Sequence, residues 1–139
     1  MANQTTPRLT VRKGDHTLNE LPDFPLAAGA ALLGGLMVAL DANGNLVDGG
    51  DGAAVKVIGI CDESVSNVGG IAGAKRAAVR RGSHWMDAAT ASPPTQAAAY
   101  LTNLKASDNH SVTLNAGTGV AISGRLLTVT ERGVLVEFY

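Results

Sequence analysis

Residues 35–47, GLMVALDANGNLV, read as a β-hairpin, and this reading constrains the chain more than any other. An apolar strand (Leu36 to Leu40) runs into Asp41-Ala42-Asn43-Gly44, and a second strand returns from Asn45 to Val47. Asn-Gly marks a tight hairpin turn because both central residues of such a turn need positive φ, which Asn and Gly tolerate best. Strand-length segments separated by glycine continue after it. Residues 54–62 (AVKVIGICD) carry Val55, Val57 and Cys61 on one face and Ile58 and Ile60 on the other, the pattern of a strand covered on both sides. Residues 75–81, 83–87, 111–114, 120–122, 125–130 and 134–138 read as further strands, with Glu131-Arg132-Gly133 as a hairpin turn. In 83–87, His84 and Met86 face opposite to Trp85; in 134–138, Val134, Val136 and Phe138 share a face. Short strands at regular spacing with Gly turns predict an all-β sandwich or small barrel.

The intervening segments are read more coarsely. Residues 1–20 read as an extended arm that orders on a partner or, equally, as a solvated terminus, and 21–139 read as the domain. In the arm, Pro7 keeps Thr6 out of helix, and Leu9 and Val11 alternate with polar neighbours. Pro22 and Pro25 hold 21–26 extended. Residues 27–33 (AAGAALL) predict a strand and a short turn. Residues 48–52, 63–73 and 88–96 read as loops, 97–102 as a short strand or helical turn, and 103–110 as a polar connection.

The chain's 139 residues suit one domain. Only 4% are aromatic, so the core consists of small aliphatic side chains and assembly with other copies or partners would help it. A net charge of −1 is no global basic footprint for nucleic acid or anionic membrane. The longest apolar run, 24–40, is interrupted by Pro25, Gly29, Gly34 and Gly35, and no Lys or Arg flanks it, which argues against a membrane span. The first residues are polar, without the apolar stretch of a secretory signal. Cys61 lies between Ile60 and Asp62 and reads as a buried structural thiol.

No combination of residues in this sequence points to catalysis or a cofactor. Asp41-x-Asn43-x-Asn45 begins like a calcium loop, but the bend and final chelating carboxylate such a loop needs fall on Leu46 and Gly52. His16, His84 and His110 lie far apart without partners at zinc spacing. Ser83 and His84 are strand neighbours pointing to opposite faces, so with Asp87 they make no triad. Gly117-Thr118-Gly119 lacks the Lys-Ser/Thr ending of a phosphate loop. Lys75, Arg76, Arg80 and Arg81 form a basic segment followed by Trp85. It reads as a solvated or partner-facing strand, and nucleic acid is a weaker reading because no further aromatics interleave the charges. Arg80, Arg81 and Trp85 are candidate subunit-interface residues, Trp being enriched at interface hot spots, with core packing an equal reading for Trp85.

The segments GLMVALDANGNLV, VKVIGICDESVSN, KRAAVRRGSHWM and RLLTVTERGVLVEFY together resemble the small capsid cement, or decoration, proteins of tailed bacteriophages. The resemblance covers roughly residues 21–139. It implies a compact β-barrel or β-tulip domain with an extended N-terminal arm. It also implies a structural, non-enzymatic minor capsid protein, made in the host bacterial cytoplasm and placed on the outer surface of the virion. The implied partners are the major capsid protein and two further copies in a homotrimer, with no cofactor, metal or membrane. Pro7, Arg8, Leu9, Val11, Arg12 and Lys13 are the candidate capsid-contact arm, since an extended segment can add a strand to an exposed sheet edge. The competing expectation is a small β-barrel binding module for nucleic acid or carbohydrate, motivated by the basic strand beside Trp85.

Overall fold

The computed structural model describes residues 22–114 and 118–139. The arm and its candidate contact residues Pro7, Arg8, Leu9, Val11, Arg12 and Lys13 lie outside the described residues. Over the described residues the chain is all-β, with about half of them in strands. Among the described residues there are twelve strands: β1 (Asp23–Pro25), β2 (Ala31–Leu32), β3 (Met37–Leu40), β4 (Leu46–Asp48), β5 (Lys56–Cys61), β6 (Val65–Ser66), β7 (Arg76–Arg80), β8 (Gly82–Ala88), β9 (Asn103–Ala106), β10 (Ser111–Leu114), β11 (Val120–Thr130) and β12 (Gly133–Phe138). One helical turn, α1 (Gln96–Ala99), precedes β9.

Five strands close into a barrel in the order β11–β12–β8–β10–β9 and back to β11. Closure removes the exposed edges that an open sheet leaves. The β8–β10 pairing is parallel and the other four are antiparallel. Its interior follows the two-residue period of its strands. Leu104 and Ala106, Ile122 and Leu126, and Val134, Val136 and Phe138 point inward and are at most 3% exposed. β11 is the seam. Val120 and Ala121 pair with β9, Gly124 to Thr130 pair with β12, and Ala121 and Ile122 also pair with β5. Through β5 the sheet continues into a second lobe, where β5 lies between β3 and β7, β4 pairs with β3, and β1 pairs with β7.

The second lobe has its own core of Leu26, Leu32, Val38, Leu46, Ile58, Cys61, Ala77 and Val79. The β3–β4 hairpin separates the two cores. Met37, Ala39 and Val47 face the barrel core, and Val38 and Leu46 face the second. Residues 24–40, the longest apolar run, are thus divided among β1, β2 and β3.

Several local expectations are corrected. The hairpin turn has a three-residue loop, Ala42-Asn43-Gly44, and only Gly44 has positive φ (+80°), because a type I turn followed by one left-handed residue makes this connection. The Gly44 N–H donates to the Asp41 carbonyl at 3.1 Å, and the Asp41 N–H donates to the Asn45 carbonyl at 2.9 Å. β5 does not alternate regularly. Its pairing with β3 passes from Val38–Gly59 to Ala39–Val57, leaving Ile58 as an extra, bulged residue. Val57 and Ile60 therefore enter the barrel core, while Ile58 and Cys61 enter the second. Val55 lies before the strand and is exposed.

The stretch read as 120–122 and 125–130 is one continuous strand across Gly124. Glycine stands there because a β-carbon would meet the Glu137 carbonyl oxygen at 2.7 Å. The polar connection 103–110 contains β9, the loop 63–73 contains β6, and residues 27–33 form strand only at β2.

Candidate interaction surface

The basic strand uses much of its charge within the chain. Arg76 pairs with Asp23 at 3.1 Å across the β1–β7 edge. The Arg76 guanidinium holds the Asp23 carboxyl below its ordinary value through hydrogen bonding and charge. Arg80 Nε lies 3.2 Å from Asp62 Oδ1 without the alignment of a hydrogen bond, so that contact is a charge pair. Arg81, at the joint between β7 and β8, is exposed, and its carbonyl accepts from His84 Nε2 at 3.1 Å. Trp85 lies half-buried on the outer face of β8, opposite Leu135 on β12, with the Arg132 guanidinium 5.2 Å from its ring centroid. Arg80 and Trp85 thus make separate contacts, each with a different neighbour.

A second surface arises from composition. Neither residues 26–40 nor residues 64–74 contain a charged side chain. The two segments meet through the β2–β6 ribbon, in which Ala31 pairs with Ser66 and Leu32 with Val65. Beyond the ribbon, Asn67 is 2% exposed. Its backbone N–H donates to the Ala30 carbonyl at 2.7 Å, and its side-chain amide donates to the carbonyls of Ala27 (3.0 Å) and Ile71 (2.9 Å). Gly29 N–H to Gly70 and Gly73 N–H to Leu26 complete the clamp. A buried amide is stable only when its hydrogen bonds are made, so Asn67 fixes the loop in one form.

That loop holds Val68 and Ile71 in solvent, at 74% and 78% exposure, and Leu33 at the end of β2 is 58% exposed. Leu26 and Leu32, on the same pair of segments, are instead buried in the second core. The fixed loop therefore presents branched apolar side chains outward from an uncharged support.

The polar residues elsewhere bind their own loops. A groove of about 620 Å³ lies between residues 88–92 and 107–113, reaching Thr118. Asp108 Oδ1 accepts the backbone N–H groups of His110 (2.9 Å) and Ser111 (2.7 Å). The Thr113 hydroxyl reaches the carbonyls of Ala91 and Ser92. Asp41 Oδ1 accepts from the N–H groups of Asn43 and Asn45, so this carboxylate caps its own turn. Cys61 is fully buried, its Sγ–H donates to the Glu63 carbonyl at 3.1 Å, and burial pushes the thiol up from its ordinary value. Among the described residues, no three of His, Cys, Asp and Glu come together where they could hold a metal ion.

The sequence reading chose Trp85, whose residue type is distinctive, and passed over Asn67, Val68 and Ile71 inside a Gly-rich segment. The available signal was a lone Asn within eleven consecutive uncharged residues, 64–74. Comparison of the chain with models of known protein families, with curated proteins and with solved structures finds no match.

Proposed function

We propose that this chain is a structural protein that decorates a tailed-phage capsid from outside and bridges major capsid protein subunits, acting as a homotrimer. The observation that carries this reading is the Asn67-clamped loop, with Val68 and Ile71 exposed at 74% and 78% on an uncharged support. Exposed apolar side chains on a clamped backbone suit binding, since little loop-ordering entropy remains to be lost on contact. Covering one Val or Ile side chain contributes roughly 1.5–3 kcal/mol. Such a contact is weak singly and strong when repeated across a shell. The resemblance to cement proteins supplies the capsid as the partner, and a closed barrel is the kind of domain that resemblance implies. The N-terminal arm, with Arg8, Arg12 and Lys13, adds a second attachment to the same partner. Nucleic acid fits less well, because Arg76 and Arg80 already face Asp23 and Asp62.

The test is the composition of the purified particle whose genome encodes the chain. The proposal expects the chain in the virion in numbers comparable with the major capsid protein. Its absence, or a copy number of a few per particle, contradicts it.

A further inference from the structure

Asn43 is the only one of the chain's eight asparagines followed by glycine; each of the other seven precedes a residue with a side chain. It is exposed at the tip of the β3–β4 loop. A β-carbon on Gly44 would meet nothing within 4 Å, so that side of its α-carbon is open to solvent. We infer that Asn43 is a site of spontaneous covalent modification, converted to Asp or isoAsp through attack by the Gly44 backbone nitrogen, and that Asp41 sets the rate.

The chemistry needs only water. The Gly44 nitrogen loses its proton to solvent base and bonds to the Asn43 side-chain carbonyl carbon. The bond from that carbon to Nδ2 breaks, and Nδ2 leaves as ammonia after taking a proton from water. Water then opens the resulting five-membered imide at either carbonyl, leaving Asp by one route and isoAsp by the other. One water enters and one ammonia leaves, with no change of oxidation state.

The folded turn restrains this reaction at its nucleophile. The Gly44 N–H donates to the Asp41 carbonyl at 3.1 Å. The Asp41 carboxylate holds the flanking backbone by accepting the N–H groups of Asn43 at 2.8 Å and Asn45 at 3.0 Å. Ring closure has to break this arrangement. Asp48-Gly49 and Asp51-Gly52 have the same spacing, but an ionised carboxylate is a poor electrophile, and Asp48 is engaged with Asn109 and Gly50. The product matters because the hairpin feeds both cores. IsoAsp lengthens the main chain within a three-residue loop, between Met37 and Ala39 on one strand and Val47 on the other. Either product puts a second carboxylate two residues from Asp41.

The test is peptide mapping by mass spectrometry after incubating the full chain at 37 °C in mildly alkaline buffer. Asn43 is expected to convert before any other asparagine, giving both Asp and isoAsp forms. Asp41→Ala in the folded protein removes both carboxylate hydrogen bonds and keeps the one from Gly44 to the main-chain carbonyl; it is expected to convert at least about fivefold faster, the factor that a single net hydrogen bond represents. Wild-type chain held in urea supplies a second comparison that needs no variant, and it is expected to convert faster than the folded chain. Earlier conversion of another asparagine overturns the site. Equal rates in folded and urea-held wild type, or in folded wild type and folded Asp41→Ala, overturn the role of Asp41.

Discussion

The side-chain amide of Asn67 donates at 3.0 Å to the carbonyl of Ala27, 40 residues earlier in the chain. With its second bond, to Ile71 at 2.9 Å, one buried side chain ties the β6 loop to the segment before β2. Replacing it with Ala removes both bonds, while each carbonyl keeps one backbone donor, Ala30 for Ala27 and Ala74 for Ile71. Asn67→Ala is expected to lower unfolding free energy by about 1–3 kcal/mol, read from urea denaturation. Val68→Ser and Ile71→Ser, at exposed positions, are expected to stay within about 0.5 kcal/mol of the parent. Equal losses for all three would mean that the loop is held by its apolar side chains instead.

Gly124 sits inside β11 where the Glu137 carbonyl oxygen would be 2.7 Å from an added β-carbon, with Ile122 Cγ2 at 3.1 Å. Gly124→Ala forces β11 and β12 apart at the barrel seam. The expected cost is about 1–3 kcal/mol, the range for overpacking. Thermal unfolding of the purified variant checks it; an unchanged midpoint contradicts the close packing of the seam.

The reading of the sequence succeeded where side-chain period decides structure. Val134, Val136 and Phe138 alternate inward as their spacing requires, and the hairpin at 35–47 forms because apolar runs flank a turn that Gly44 makes feasible. It failed where the backbone decides. The bulge at Ile58 shifts the phase of β5, and nothing in VKVIGIC marks which residue is extra. Gly124 resembles a turn in sequence and is a close contact in space. β9, in which Asn103 and Lys105 alternate with Leu104 and Ala106, is too short and too polar on its outer face to stand out from its loop. Asn67 was missed because its partners, Ala27 and Ala30, are brought to it only by the fold.

Burial pushes the Asp108 carboxyl up, but the backbone N–H groups of His110 and Ser111, aided by the His110 ring, outweigh it and hold the group below its ordinary value of 3.8. A carboxyl lowered on folding contributes stability that is complete above the ordinary value and is lost as pH falls through the lower folded value. Asp108→Asn removes that dependence. The urea midpoints of parent and variant are expected to differ most above pH 3.8 and to converge in stronger acid. The difference is small because the side chain is nearly half exposed, at 44%. A gap that widens as pH falls contradicts the assignment.

Deleting residues 1–13 removes Pro7, Arg8, Leu9, Val11, Arg12 and Lys13. Every strand of the barrel lies beyond them, so the shortened chain is expected to give the parent's circular dichroism spectrum and unfolding midpoint. On capsids it is expected to bind more weakly, with the loss reduced at high salt because Arg8, Arg12 and Lys13 act by charge. Binding equal to that of the full chain removes the arm from the account.

The most direct test of the proposed capsid role is co-sedimentation of the purified chain with capsids that lack it, taken from the particle whose genome encodes it, beside the double variant Val68→Ser, Ile71→Ser. The account predicts saturable binding of the parent at a fixed ratio to capsid subunits. It predicts a loss of at least about tenfold in affinity for the folded double variant, since two apolar side chains contribute roughly 3–6 kcal/mol when fully covered. No saturable binding by the parent, or equal binding by the two, would contradict it.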